Sequence, residues 1–409
     1  MSIVGLIVEY NPLHNGHLYH FNRAKQETGA KAAIAVMSGN FLQRGEPAVV
    51  SKWARTEMAL AMGADLVIEL PVAYAVQPAE WFAYGAAALL NATGLVTHLV
   101  FGSEEGGTDK LQTLAGALAE ESGPMRQAVA EELATGASYP AAYAAAAERT
   151  LAGGAAEGAR ELLRQPNNSL GLHYMIALRR LGSAIQPLTI RREAAGYHDA
   201  QPGEGSIASA TAIRRLILAG GLPEASPYMP DYAAGILARE IAAGRGPVTW
   251  ESLRGPLFYQ LLTSPAETLS HIHEMTEGLE YRIKKVLPSL NQPTVAHLLE
   301  ALKTKRYTHT KLQRLLVHVL LQHRKTAFTR EALAEGPGYL RVLGFSEQGR
   351  ELLKQMKKTA SLPILTRPST LSHPQLELDL AASAVYAGAF NDYATDQIFR
   401  DYRQPPIRL

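Results

Sequence analysis

Val8-Glu9-Tyr10-Asn11-Pro12-Leu13-His14-Asn15-Gly16-His17 is the stretch that decides how this chain folds. It follows the β-branched run Ile3-Val4-Gly5-Leu6-Ile7 and leads into helical periodicity over 17–28, so it reads as strand, Asn-Pro turn and helix start. The first N–H groups of a helix lack intrahelical acceptors and attract anions. Two imidazoles three residues apart on that first turn add donors for charge that builds up on a phosphate. As a bare string, His-Asn-Gly-His is a modest signal, and a helix start with two satisfied histidines is the bland alternative. At the end of the first hydrophobic strand of a βα unit it points to phosphate chemistry.

Outward from that stretch, strand patterns recur at 32–37, 65–70, 97–101 and 185–190, with helical patterns at 52–62, closed by Gly63, and at 79–90. The strands are apolar on both faces, which predicts an α/β fold with a parallel sheet and crossover helices. His14 to His17, Ser38 to Asn40 and Gly102 to Glu104 then fall at the carboxyl ends of strands, the edge where open α/β sheets bind ligands. A helical insertion spans about 110–164. Residues 166–171 read as a loop feeding a helix through Arg180, and residues 206–214 as the cap of another helix. Three prolines within 223–230 mark a linker. This predicts two parts, 1–222 and a mainly helical 231–409 with few strand signals; no internal repeat is present.

Composition narrows the function classes. Forty Lys+Arg against 38 Asp+Glu leave the chain near neutrality, so any basic surface is local. The absence of cysteine excludes disulfide partners, thiolate metal sites and cysteine nucleophiles. The chain begins without a basic leader, and no apolar run reaches membrane-spanning length, so a cytoplasmic protein with no membrane partner is the expectation.

Several constellations carry chemistry. Arg44, Lys52 and Arg55 place cations beside the second strand end, where they could clamp phosphates or merely form a solvated face with Glu57. Ser209, Thr211 and Arg214 read as a helix cap doubling as a phosphate grip. Asn167 with Arg191 or Arg192 could hold a nucleotide, though an asparagine in a turn is the commoner explanation. Glu9, Asp65 and Glu69 are too scattered for a compact metal triad, and no metal site is assigned. Residues 301–330 carry Lys303, Lys305, Arg306, Lys311, Arg314, Arg324, Lys325 and Arg330, interleaved with Tyr307, His309, His318 and His323. Local basicity on a neutral chain is the footprint of a phosphate backbone, against the alternative of a solvated helix, while the wide apolar face of L-Q-R-L-L-V-H-V-L-L makes part of the segment core helix.

Together, V-E-Y-N-P-x-H-N-G-H, S-G-N-F-x-Q-R-G-E-P, G-A-D-L-V-I-E-L-P, P-N-N-x-L-G, G-Y-H-D, S-A-T-A-I-R and K-R-Y-T-H-T-K-L-Q-R closely resemble the bacterial tRNA(Met) cytidine acetate ligases, of the HIGH-motif nucleotidylyltransferase superfamily. The resemblance covers nearly the whole chain and is weakest after Tyr386. It implies a Rossmann-like parallel sheet with a mostly α-helical C-terminal, tRNA-binding domain. It also implies ATP as substrate, acetyl-adenylate as intermediate, and acetate and elongator tRNA(Met) as partners. His14 and His17 would be catalytic. ATP would contact Ile7, Val8, Glu9, Tyr10, Asn11, Pro12, Leu13, His14, Asn15, Gly16, His17, Leu18, Tyr19 and His20, then Gly102, Asn167, Arg192, Ser209, Thr211 and Arg214. Arg191 is a near-equal candidate to Arg192. Lys305, Arg306, Lys311 and Arg314 would contact the tRNA. Whether Mg2+ accompanies ATP stays open. So do a simple adenylyltransferase acting on a phosphorylated metabolite and a non-catalytic RNA-binding protein; an aminoacyl-tRNA synthetase is disfavoured by the lack of a KMSKS-like loop.

Overall fold

In the computed structural model, which describes residues 2–119, 123–151, 158–192, 207–391 and 394–409, β1 (Ile3–Val8) runs between β4 (His98–Ser103) and β2 (Ala32–Ser38). β5 (Gln186–Arg191) lies outside β4, and β3 (Leu66–Leu70) lies outside β2, all of these pairings being parallel. β2 shows why the strands read as apolar throughout. Ala32, Ile34 and Val36 enter the core on one face of the sheet, and Ala33, Ala35 and Met37 enter the core on the other. A strand buried on both faces has no polar side to alternate with.

Chain order moves from β1 to β2 to β3 in one direction and then returns to the other side of β1 with β4. That reversal opens a crevice at the carboxyl ends. Its opening is visible in the register: β1 and β4 pair only at Val4–His98 and Gly5–Leu99, whereas β4 and β5 stay paired from His98 to Ser103.

The expected helices form, and helices Asp109–Leu118, Gly123–Ala134, Tyr139–Thr150 and Ala159–Arg164 occupy the helical insertion. Residues 166–171 depart from the loop expected of them and form the first turns of helix Pro166–Arg180. Proline at the helix start gives up an N–H that would be unpaired there anyway, and Asn168 turns its carboxamide oxygen to the N–H groups of Glu104 and Glu105. Residues 223–230 are packed rather than an open connector: Ala225 and Met229 join the core beneath helix Asp231–Ala242, together with Met58 and Ala59.

The C-terminal half is mostly helical, with a core of its own that includes Leu257, Leu298 and Leu315 and also takes Phe41, Val72 and Val76 from the first part. It returns strands to the sheet. β6 (Leu340–Phe345) pairs antiparallel with β3 and is joined by β7 (Ile364–Leu365) and β8 (Ile407–Arg408). The sequence signal for β6 is one short run, L-R-V-L-G-F, whose burial depends on β3, far earlier in the chain.

Candidate active site

The helix Asn15–Thr28 starts where the crevice opens, with His14 as its cap. His14 Nδ1 accepts from Gly16 N at 3.1 Å, and His17 Nδ1 accepts from His14 N at 3.3 Å. This reciprocal box satisfies two of the orphan donors of a helix start. Because both rings accept at Nδ1, their protons sit on Nε2, which has no partner among the described residues. The ring centroids lie 3.8 Å apart, and Tyr10 meets His17 edge-on at 5.0 Å. Tyr10 adopts a left-handed backbone, φ 50°, in the turn that leads from strand to helix.

Burial keeps these imidazoles neutral, and nearby cations reinforce it. His14 is pushed down to about 3 by burial, with Arg192 and Arg214 adding to the effect. His17 is held well below the usual range by burial, then by His14, His20 and Arg192. His20 is pushed down to about 4 by burial and Arg192, and its Nε2 is buried without a partner. A set of neutral donors facing guanidinium groups is suited to receiving an anion.

A cavity of about 330 Å³ lies over this helix start. Its walls take in Ile7, Val8, Glu9, Tyr10, Asn11, His14, Gly16, His17, Tyr19 and His20 from the first stretch, with Gly102, Asn167, Arg192, Ser209, Thr211 and Arg214 from later ones. Pro12, Leu13, Asn15 and Leu18 do not reach it. Leu13 is core, and Asn15 bonds the Pro227 carbonyl at 3.2 Å. The structure also distinguishes the adjacent arginines. Both line the cavity, but Arg192 is the electrostatic neighbour of all three histidines and donates to Asn167 Oδ1 at 3.2 Å. The stem of Arg191 packs over Gly106. Asn167 Nδ2 is tied to Glu104 at 2.6 Å, Ser209 caps its helix through Ala212 N at 3.2 Å, and Arg214 bridges Asn11 O and Glu46, both at 2.9 Å.

Other expectations change. Lys52 and Arg55 are neither phosphate clamps nor a solvated face; both are fully buried. Arg55 donates to the carbonyls of Glu9, Ser38, Gly39 and Val50 and so holds the strand ends and the following loop together. Burial lowers it to about 10, still cationic at neutral pH. Asp65 accepts from Ala33 N, and Glu69 accepts from Lys52 and forms an ion pair with Arg341, so these two carboxylates are structural. Among the described residues, no three His, Asp or Glu side chains are grouped to hold a metal ion. The G-Y-H-D motif at 196–199, and Ser206, lie outside the described residues.

The basic stretch divides in the same way. His318 and His323 are buried, 3.0 Å apart, against His273 and Phe328, so they are core and not an RNA surface. Arg314 is also buried and donates to Glu274 at 2.8 Å. Lys305 is exposed, Arg306 pairs with Glu277 at the surface, and Lys311 sits over the Tyr307 ring and donates to Thr276 at 3.0 Å. Sequence reasoning missed Leu42, Phe82, Leu170 and Tyr174, which also line the cavity. Each reads as an ordinary apolar core position, and only the crevice tells them apart.

The HIGH Nucleotidyl Transferase family profile matches residues 1–401. The tRNA(Met) cytidine acetate ligase of Bacillus licheniformis is 41% identical over 100% of this chain and 97% of its own length, and that of Bacillus subtilis is 42% identical with the same coverage. The crystal structure of Thermotoga maritima TmcAL bound with alpha-thio ATP superimposes with a TM-score of 0.91 at 37% identity, covering 100% of both chains. The cleft at the strand-order reversal, the paired histidines at its helix start and these full-length likenesses agree: the chain belongs to the HIGH nucleotidyl transferases and, within them, to the tRNA(Met) cytidine acetate ligase family.

Proposed function

We propose that this protein uses ATP to join acetate to the wobble cytidine of elongator tRNA(Met), forming N4-acetylcytidine through an acetyl-adenylate. The observation that carries this reading is the cavity over the His14–His17 helix start, in a chain alike over its full length to tRNA(Met) cytidine acetate ligases. In the first step an acetate oxygen attacks the α-phosphorus and pyrophosphate leaves. That step needs alignment and charge neutralisation and no protein nucleophile. His14 and His17 donate from Nε2 to the phosphates, Arg192 and Arg214 compensate their charge, and Asn167, Ser209 and Thr211 border the nucleotide beside Gly102.

In the second step the exocyclic amine of the cytidine attacks the acetyl carbon and AMP leaves. The RNA docks on Lys305, Arg306 and Lys311, while Arg314 and Glu274 brace the helix His309–Leu320 from inside. That helix packs on the loop whose Arg44 and Glu46 line the cavity. Gly45, at φ 76°, packs so tightly on the backbone of Gln313 and Arg314 that a Cβ would overlap it, and Trp250 Nε1 donates to Gly45 O at 2.9 Å. Because the substrates are ATP and tRNA, the work is placed in the cytoplasm.

The test mixes purified protein with ATP, acetate and unmodified tRNA(Met) and weighs the wobble nucleoside by mass spectrometry. A gain of one acetyl group is expected. Adenylylation of a small phosphate ester with the RNA unchanged would overturn the reading.

A further inference from the structure

Glu9 stands apart from its neighbours in the nucleotide stretch. It follows the last residue of β1 and lines the cavity, yet its environment differs from that of the histidines. Its Oε1 accepts from Gln43 N at 2.7 Å and faces Ser38 Oγ at 3.5 Å, which fixes the carboxylate against the loop of residues 40–47. Arg55 holds its backbone carbonyl at 2.7 Å. Its other oxygen, Oε2, has no hydrogen-bond partner among the described residues. No cation pairs with the carboxylate directly among those residues. A bare carboxylate is poorly placed to receive a triphosphate, but it is the group that accepts from the exocyclic amine of cytosine.

We propose that Glu9 receives the acceptor cytidine: its free oxygen accepts a hydrogen bond from N4–H and takes the proton as N4 attacks the acetyl-adenylate. The inference rests on the acetate ligase reading above and assigns the base for its second half. Atoms and electrons balance in this step. N4 forms a bond to the acetyl carbon, the bond from that carbon to the phosphate oxygen breaks, AMP leaves with the electron pair, and the N4 proton passes to Glu9 and then to solvent.

Three observations support this placement. The loop that holds Glu9 is the one whose Gly45 packs on helix His309–Leu320, so the carboxylate lies on the side of the cavity next to the basic helix. Apolar and aromatic walls from Phe82, Leu170 and Tyr174 border the same cavity and suit a flat base. The groups facing Glu9 are Arg44 and Glu46 on the loop, Arg55 on helix Lys52–Met62 and Tyr174 on helix Pro166–Arg180. Burial raises Glu9 above the usual carboxylate range, opposed by the Gln43 N–H bond, reinforced by Glu46 and countered by Arg44 and Arg55. A raised carboxylate is a better base toward a weakly acidic amine.

Glu9→Gln and Glu9→Asp are compared with the wild-type full chain in two assays: acetate-dependent ATP–pyrophosphate exchange without RNA, and single-turnover acetyl transfer from preformed acetyl-adenylate to unmodified tRNA(Met). Expected are transfer slowed by about 10²–10⁴-fold in Glu9→Gln, a loss well beyond any change in exchange, and partial recovery of transfer in Glu9→Asp. Wild-type transfer should rise with pH through one ionisation that Glu9→Gln lacks. Three results overturn the proposal. Equal losses in both assays make Glu9 a structural residue. A raised KM for ATP with transfer intact puts it on the adenine amine. Unchanged transfer removes it from the chemistry. If wild type itself transfers no acetyl group, the proposed function fails first and this inference with it.

Discussion

Lys52 Nζ lies 2.5 Å from Asp401, 349 residues further along the chain, and 2.6 Å from Glu69 on β3. Arg341 on β6 completes the square, 3.1 Å from each carboxylate, and Trp53 Nε1 donates to Asp401 at 2.8 Å. These buried charges pin the C-terminal segment beneath the strand end that carries the cavity loop. Removing one member leaves the others uncompensated. Asp401→Ala should cost about 3–5 kcal/mol, read as a shift in the urea midpoint with an unchanged slope. Burial alone would raise Asp401, but Lys52 and Arg341 outweigh it and hold the carboxyl below its usual range. Its contribution is therefore full above pH ~4 and is lost as pH falls through the depressed folded value.

Histidine burial sets a second acid sensitivity. His14 and His323 are pushed down to about 3, and His20, His173 and His273 to about 4, with burial the leading cause for each. In the unfolded chain they protonate near pH ~6.5. Between that value and about 4 the unfolded state binds protons that the folded state refuses, so stability declines as pH is lowered across that window. Each such histidine contributes a slope of up to about 1.4 kcal/mol per pH unit. Urea titrations from pH 7.5 to 4.5 check this, and a flat profile would contradict neutral burial.

Activation itself should show no imidazole titration. With the folded His14 value near 3, both signature rings stay neutral donors from pH 6 to 9 in the free protein. His17→Ala should lower acetate-dependent pyrophosphate exchange by about 10²–10³-fold, the usual loss for a donor to developing charge. Near-wild-type exchange would take His17 out of the chemistry.

Charges in the basic stretch should separate by depth. Lys305→Glu with Lys311→Gln is expected to weaken tRNA binding and to lower the salt dependence by about one unit for each phosphate no longer neutralised, with exchange in the absence of RNA retained. Arg314→Ala leaves Glu274 buried and unpaired and should act on stability by about 3–5 kcal/mol. Filter binding across a salt series, alongside thermal unfolding, tells the two effects apart.

Gly45→Ala should be damaging although it adds only a methyl group. The left-handed backbone alone costs about 1–2 kcal/mol for a residue with a Cβ, and the added atom overlaps the Gln313–Arg314 backbone. Acetyl transfer to RNA should fall more than pyrophosphate exchange, because the loop joins the cavity to the RNA-side helix. Equal falls in both would count against that coupling.

What the sequence determined by itself was local. Apolar runs of strand length, the Asn-Pro turn, the helix start at His14 to His17 and the Gly63 stop fix β1 to β3 and their helices within a few residues, since period and capping act between near neighbours. The carboxyl-end edge on which the cavity lies follows from the same pattern, whereas the strand-order reversal between β1 and β4 is decided by pairing in the tertiary structure. Only the tertiary structure decided the fate of individual charges. Lys52 and Arg55 read in the sequence as cations for a phosphate or a solvated face, and Arg314, His318 and His323 as members of a basic stretch only part of which is core; all five are buried. Their partners, Asp401, the 38–39 carbonyls, Glu274 and each other, come from folding and not from spacing. The same holds for β6, which is a strand because β3 offers an edge, and for Glu9, which belongs to the nucleotide stretch by position and to the 40–47 loop by contact. Whether a charged group is solvated, paired or left with a free oxygen depends on what lies within a few ångströms, and chain order does not carry that information.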